Sequence, residues 1–166
     1  MVTIRTLLEG VDVVQPSPVE IPINSVTADS RRVWPGSAFV AMEGYCENGL
    51  DYIQEAIDHG AALIISNGGA KVDDILDNLK TPSVRVKNIR KALSGIASNL
   101  HDHPSGKLTA VGITGTNGKT TTGYIIDSIL KASDIKCGMV GTLGVTAPGS
   151  EAHTGLTTPE SLELQR

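Results

Sequence analysis

A chain of 166 residues forms one domain or two small ones and buries about two-thirds of the surface that it exposes when unfolded. The net charge of −4 provides no basic field, so we expect no nucleic acid partner. No apolar run approaches the ~18 residues that a membrane span needs, and Glu9 and Asp12 interrupt the N-terminal stretch where a signal peptide is continuously apolar. These features predict a cytoplasmic protein with no membrane partner.

The first predicted elements are two short strands, at 25–30 and 37–42, separated by a turn at Pro35 and Gly36. Alternating helical and strand patterns follow. They predict a helix at 51–60, a strand at 61–67, a helix at 71–79, a strand at 82–87 and a helix at 89–100. In the first of these helices we expect Asp51 to cap the start and Gly60 to form the exit. The pattern is typical of an α/β fold.

The periodicity stops at 101–107, where Pro104 and Gly106 interrupt the backbone. We predict a domain boundary there, between an N-terminal domain of residues 1–102 and a second domain at 107–166. Residues 157–166 are typical of a helix start, with Thr158 as its cap and Pro159 in its first turn. About 60 residues are too few for a doubly wound sheet, so we expect the second domain to be incomplete, as part of a longer protein.

The second domain opens with a strand, a glycine-rich loop and a helix in immediate succession. The segment TAVGIT, residues 109–114, is predicted to be a strand, and TGYIIDSILKAS, residues 122–133, has apolar residues at helical spacing. Between them lies GTNGKTT. Such a loop could be an ordinary turn, but glycines also let backbone N–H groups approach a phosphate, and Lys119 would neutralise its charge. The strand, loop and helix order favours a nucleotide phosphate site.

The loop departs from the general phosphate-loop pattern, because the first glycine would stand at Ile113, whereas the chain has it at Gly112. This shifted form, GITGTNGKTTT, resembles the ATP loop of the Mur ligases. The segment 29–66 is similar to the N-terminal nucleotide-sugar domain of the Mur ligases that add the third peptide residue (MurE type), and GLTTPES resembles their muramoyl substrate segment. These motifs cover most of the chain.

The resemblance implies a small N-terminal α/β domain that binds UDP-N-acetylmuramoyl substrate, followed by the start of a P-loop ATPase domain. It implies ATP-dependent amide formation through an acyl phosphate, in which an amino acid, diaminopimelate or lysine, joins UDP-N-acetylmuramoyl-L-alanyl-D-glutamate. The implied cofactors are ATP and Mg²⁺. We expect the chain alone to be inactive, because placing the reacting groups is worth ~7–11 kcal/mol and the part that places the amine is missing.

The resemblance also implies site residues. Lys119 would be catalytic, and Thr120 or Thr121 would offer a hydroxyl to Mg²⁺. The ATP-binding residues would be Gly115, Thr116, Asn117, Gly118, Lys119, Thr120 and Thr121. The residues that contact the UDP-sugar substrate would be Ser30, Tyr45, Cys46, Glu47, Thr157 and Thr158.

Two alternatives to this assignment remain open. The first is a fragment of a MurF-type ligase, which adds the terminal dipeptide and has a similar N-terminal start, although TTPES favours the MurE type. The second is a UDP-sugar-binding module without enzymatic activity. The two cysteines, Cys46 and Cys137, form no CxxC pair, and we expect them to be buried or idle thiols. The sequence gives no oligomeric state.

Overall fold

The protein is described by a computed structural model that covers residues 1–44, 47–69, 72, 75–76, 81–147, 150–152 and 159–165. The chain divides into two compact units. Among the described residues, the N-terminal unit comprises Met1–Lys107 and Gln165, and the C-terminal unit comprises those within Leu108–Leu164. Each is an α/β arrangement and is described separately.

The N-terminal unit is built on a five-stranded sheet in the order β2-β7-β6-β5-β4. Strands β4 to β7 are parallel, whereas β2 pairs with β7 in the antiparallel sense. A separate antiparallel pair joins β1 to β3. The strands are β1 Val2–Thr3, β2 Val13–Gln15, β3 Pro22–Ile23, β4 Ser25–Thr27, β5 Ser37–Val40, β6 Ala61–Ser66 and β7 Ser83–Val86. The helices are α1 Ile4–Leu7, α2 Ile53–Asp58 and α3 Ile89–Leu100.

Both faces of β5, an interior strand of the sheet, are covered. Ala38, Phe39 and Val40 are fully buried, although neighbouring side chains of a strand point to opposite faces. Phe39 packs in one apolar cluster with Ile53 of α2 and with Val72, a helical residue between β6 and β7. A parallel sheet that is buried on both faces produces the near-continuous apolar runs seen in β5 and β6.

Most of the predicted elements of the N-terminal unit are confirmed. The predicted helix at 51–60 contains α2, and Gly60 forms its exit with a φ of +94°. The prediction that Asp51 caps this helix was wrong. The chain already turns as a 3-10 helix at Gly49–Tyr52, and the side chain of Asn48 accepts the N–H of Leu50, so Asp51 lies inside the turn.

The predicted strand at 25–30 is shorter than expected, because β4 ends at Thr27 and the chain then enters a 3-10 turn at Ser30–Arg32. The side chain of Asp29 accepts the N–H of Arg31 and so begins this turn. The predicted helix at 71–79 is helical at the positions that the structure describes, which are Val72, Ile75 and Leu76.

The C-terminal unit contains the long helix α4 and a small antiparallel sheet in the order β10-β9-β8. The bounds are α4 Lys119–Ala132, β8 Met139–Gly141, β9 Gly144–Ala147, β10 Ser150–Ala152 and a terminal helix, α5 Ser161–Gln165. Helix α4 confirms the predicted helix after the loop. The prediction that Pro159 lies in the first helical turn was wrong. The carbonyl of Glu160 accepts the N–H of Leu164, so the hydrogen bonds of α5 begin at Glu160, and Pro159 precedes the helix.

The predicted strand at 109–114 was also wrong. These residues carry no strand assignment, and Val111 in their middle is 69% exposed. An extended segment becomes a strand when a neighbour supplies hydrogen-bond partners, and no strand in the described part of the chain pairs with this one. The segment still leads directly into the glycine-rich loop. No helix among the described residues has the length and apolar character required to cross a membrane.

Candidate functional site

The glycine-rich loop adopts a backbone conformation that depends on its glycines. Gly118, directly before α4, has φ +77° and ψ −3°, and Gly115 has φ +148°. Residues with a side chain rarely adopt these values, whereas glycine does so without a steric penalty. Nothing lies within 4 Å of the position that a Cβ atom would take at Gly118. Glycine is therefore required there by the backbone conformation and not by a lack of space for a side chain.

The start of α4 presents free donors at the end of this loop. The N–H groups of Lys119, Thr120 and Thr121 have no acceptor among the described residues, whereas the N–H of Thr122 bonds to the Gly118 carbonyl at 2.8 Å. Gly118 is the N-cap and offers no side chain to satisfy them. Unsatisfied N–H groups and the positive end of the helix dipole together favour an anion at this position.

The side chain of Lys119 folds back over the loop. Its Nζ atom donates to the Gly115 carbonyl at 2.6 Å and reaches the Thr116 carbonyl at 3.4 Å. No carboxylate of the described residues lies in ion-pair distance of this ammonium group. The whole loop from 114 to 122 is exposed to solvent. A cation without a counter-charge therefore lies beside the free donors of α4.

Two hydroxyl groups stand next to Lys119, on Thr120 and Thr121. Both residues are exposed in the first turn of α4, and neither hydroxyl has a hydrogen-bond partner in the part of the chain that the structure describes. Hydroxyl oxygen is a hard ligand of the kind that Mg²⁺ accepts, and Mg²⁺ is commonly held by few protein ligands together with substrate phosphates. The described residues contain no group of three or more His, Cys, Asp or Glu side chains that could hold a metal ion. The donor set thus fits a metal that arrives with a nucleotide.

The predicted phosphate-loop residues are accordingly brought together. Thr116 and Asn117 are exposed in the bend between the two glycines, and Thr116 contributes its carbonyl to the Lys119 contact. Sequence reasoning did not single out Gly123, which is the buried residue of α4. A Cβ atom at Gly123 would lie 2.8 Å from the Met139 sulfur, so this glycine lets the helix approach β8 closely.

In the N-terminal unit, Ser30 lies in the 3-10 turn that follows the carboxyl end of β4. The residue is 7% exposed. Its hydroxyl has no hydrogen-bond partner among the described residues, and it is not sealed from solvent. A polar group of this kind is available to a ligand. Ligands of open parallel sheets bind at the carboxyl ends of the strands, which is where this turn begins.

Asp29 holds the turn at Ser30 in shape, and sequence reasoning did not assign it a role. Its carboxylate accepts the backbone N–H of Arg31 and forms two further bonds to the Arg31 guanidinium, at 2.9 and 3.0 Å. The hydrogen bonds from Arg31 lower the pKa of the Asp29 carboxyl below its usual value. The carboxylate therefore stays ionised and keeps the turn closed at neutral pH.

Glu47 is exposed in the loop that follows β5. Its backbone carbonyl accepts the N–H of Gly44 at 2.9 Å, and its negative charge raises the pKa of the Tyr52 phenol. This loop begins at the carboxyl end of β5, the strand next to β4, which is where ligands of parallel sheets bind. The remaining predicted substrate residues, Tyr45, Cys46, Thr157 and Thr158, lie outside the described residues.

Two family models match the chain. Residues 22–101 match the Mur ligase family, catalytic domain, and residues 113–166 match the Mur ligase middle domain. The first match contains the turn at Ser30, and the second contains the glycine-rich loop. The chain belongs to the Mur ligase family.

Relatives of this chain include UDP-N-acetylmuramoyl-L-alanyl-D-glutamate--2,6-diaminopimelate ligases. The enzyme of Bacillus cereus is 40% identical over 150 residues, which cover 90% of this chain and 29% of the relative. Ligase 1 of this name from Clostridium acetobutylicum is 39% identical over 148 residues, which cover 89% of this chain and 30% of the relative. The chain therefore spans about 30% of the length of the curated relatives that it matches.

Solved structures agree with this relationship. A UDP-N-acetylmuramoyl-L-alanyl-D-glutamate--2,6-diaminopimelate ligase superposes with a TM-score of 0.63 at 25% identity, covering 89% of this chain and 30% of that one. MurF from Acinetobacter baumannii superposes with a TM-score of 0.54 at 22% identity, covering 84% of this chain and 28% of that one. The likeness to MurF supports a shared α/β fold and nothing more specific.

Proposed function

We propose that this chain is the N-terminal part of an ATP-dependent amide ligase of peptidoglycan precursor synthesis. The complete enzyme would add the third amino acid, diaminopimelate or lysine, to UDP-N-acetylmuramoyl-L-alanyl-D-glutamate. The observation that carries the proposal is the loop at 115–121, in which an ammonium group lies beside three N–H donors, and none of these groups has a carboxylate partner among the described residues. The names of the relatives, which specify diaminopimelate ligases, support the choice of substrates.

In this proposal the loop holds the phosphates of ATP. The N–H groups at the start of α4 would donate to phosphate oxygens, and Lys119 would offset the negative charge of the phosphates. The hydroxyl of Thr120 or Thr121 would offer an oxygen ligand to Mg²⁺. When bound, ATP supplies the phosphoryl group that activates the peptide carboxylate, and the protein contributes positioning and charge neutralisation. A cytoplasmic location, where ATP is abundant, is part of the proposal.

The N-terminal unit would bind the UDP-sugar end of the substrate. Ser30 would hydrogen-bond this substrate through its unpartnered hydroxyl, and the loop with Glu47 would lie beside it. Tyr45, Cys46, Thr157 and Thr158 remain proposed contacts that rest on the family resemblance.

Calorimetry tests the proposal and separates it from a binding module without enzymatic activity. The chain is titrated with UDP-N-acetylmuramoyl-L-alanyl-D-glutamate and, separately, with Mg-ATP. We expect saturable heat from both ligands, and we expect Lys119→Ala to abolish the second without changing the first. Because the second domain is expected to be incomplete, a longer chain that contains the whole domain is titrated as the control. Heat from the nucleotide sugar alone in both chains would reject the ligase and support the module. Heat from neither ligand would reject both.

A further inference from the structure

His59 makes a contact that the proposed function has not used. This residue follows α2, and its ring Nδ1 lies 3.1 Å from the backbone carbonyl oxygen of Ser30, which is 29 residues away in sequence. A carbonyl oxygen only accepts hydrogen bonds, so the ring nitrogen must carry the proton. His59 therefore donates to the residue whose hydroxyl is the candidate substrate contact.

The contact completes a set of bonds that fixes the turn at Ser30. Thr27 Oγ1 accepts the N–H of Asp29 at 3.1 Å, which secures the approach to the turn. The Ser30 carbonyl accepts the N–H of Val33 at 3.2 Å in addition to the His59 bond. Only the bond from His59 comes from outside the segment 27–33 in this set. It is thus a directional link between the turn and the end of α2, in addition to the apolar packing of Val33 against α2.

The end of α2 is itself well fixed. The backbone N–H of His59 donates to the Glu55 carbonyl at 3.0 Å, and the N–H of Gly60 donates to the Ile57 carbonyl at 2.8 Å. The N–H of Gly36, after the turn, donates to the Gly60 carbonyl at 3.2 Å. His59 is therefore anchored on a rigid element, as a side chain that positions another group must be.

We propose that His59 is a positioning residue for substrate binding, because its Nδ1–H group fixes the backbone of Ser30 and so aims the Ser30 hydroxyl at the UDP-sugar substrate. His59 itself does not touch the substrate in this proposal. The inference rests on the proposed function, since it names a residue that acts through the same site.

The experiment measures the affinity of the full chain for UDP-N-acetylmuramoyl-L-alanyl-D-glutamate by calorimetry. His59→Phe keeps a ring but removes the donor, and His59→Asn keeps an amide nitrogen on the same atom, Cγ, that bears Nδ1. Asp58→Asn is the matched control, because it alters the same helix end without a contact to Ser30. The fourth variant is Ser30→Ala, alone and combined with His59→Phe.

We expect His59→Phe to weaken binding roughly 3- to 10-fold, the range of a single hydrogen bond. Binding by His59→Asn and Asp58→Asn should stay near that of the parent chain. The double variant should bind no more weakly than Ser30→Ala alone, because residues that act as one unit are not additive. Mg-ATP affinity should be the same in all variants.

Three outcomes overturn the inference while leaving the proposed function intact. In the first, His59→Phe binds the nucleotide sugar as the parent does, and in the second, its effect multiplies fully with that of Ser30→Ala. An equal loss in His59→Asn and His59→Phe also contradicts it, since the donor would then not be the cause. If the parent chain itself fails to bind the nucleotide sugar, the proposed function fails, and the inference that rests on it is overturned with it. A melting curve on each variant confirms that the protein remains folded.

Discussion

Replacing Gly118 by alanine tests the phosphate loop most directly. The backbone at this position has φ +77°, in the left-handed region, where a residue with a Cβ atom pays about 1–2 kcal/mol. No atom lies within 4 Å of the added methyl group, so crowding does not contribute. Because the loop is exposed, it can relax to another conformation when no ligand is bound. Restoring the binding conformation then costs the strain energy, which corresponds to roughly 5- to 30-fold weaker binding.

The assay is a titration of the chain with Mg-ATP, followed by calorimetry or by the fluorescence of a labelled nucleotide. Gly106→Ala is the matched control, since Gly106 lies outside the loop and also has open space around its Cβ position, but its φ lies outside the left-handed region. Gly118→Asn should recover part of the affinity, because asparagine tolerates the left-handed conformation better than alanine does. If Gly118→Ala and Gly106→Ala bind Mg-ATP equally well, the argument from backbone conformation is refuted.

Three further predictions concern the C-terminal unit. Lys119→Ala should leave the melting temperature nearly unchanged, because within the described part of the chain the ammonium group bonds to exposed loop carbonyls alone. A drop of many degrees in a thermal scan would show that Lys119 supports the fold. Gly123→Val should destabilise the unit by about 1–3 kcal/mol, because the added side chain overpacks against Met139, and this cost exceeds the gain from the higher helix propensity of valine. Increased stability in chemical denaturation would contradict the close contact between α4 and β8. The Cys137 thiol donates to the Asp127 carboxylate at 3.0 Å, and this bond raises the pKa of the thiol, so Cys137 should react slowly with iodoacetamide at pH 8. With Cys46 replaced by serine, Asp127→Asn should speed this reaction, and an unchanged rate would show that the carboxylate is not the cause.

The parts of the fold that the sequence predicted correctly are those set by local pattern. The sequence predicts an apolar stripe on α3 that consists of Ile89, Leu93, Ile96 and Leu100; the first three are buried, and Leu100, at the end of the helix, is half-buried. The apolar runs of β5 and β6 predicted strands because a buried parallel sheet excludes polar residues from both faces. Such patterns depend on neighbours within a few residues, so they can be read without knowing the rest of the structure.

The errors arose where a distant or neighbouring segment competes with local preference. Asp51 is a good cap in isolation, but Asn48 begins the turn earlier and takes that role. The segment at 109–114 has strand character, yet pairing requires a partner that no local pattern reveals. The same reason explains why His59 was not recognised, since its contact to Ser30 joins two elements that are far apart in sequence. The loop at Gly115–Thr121 was predictable because all of its groups come from one continuous segment.

The partners of Lys119 decide whether the loop is ready to bind a phosphate. Its ammonium group bonds to two backbone carbonyls, which are neutral acceptors and remain exposed to water. A hydrogen bond that involves one charged group contributes about 1.5–3 kcal/mol net, which is the class of the present ammonium–carbonyl bonds, and an oppositely charged acceptor adds a Coulomb attraction to it. A phosphate oxygen carries a full charge that a carbonyl lacks, so exchanging a carbonyl for a phosphate strengthens the bond, and water takes over the released carbonyl at little cost. A carboxylate partner in the place of Gly115 would reverse this balance, because an ion pair would have to be broken before the ligand could bind. Raising the ionic strength should accordingly weaken Mg-ATP binding to the parent chain much more than it weakens any residual binding to Lys119→Ala, and equal salt dependence in the two proteins would show that the ammonium group does not face the nucleotide.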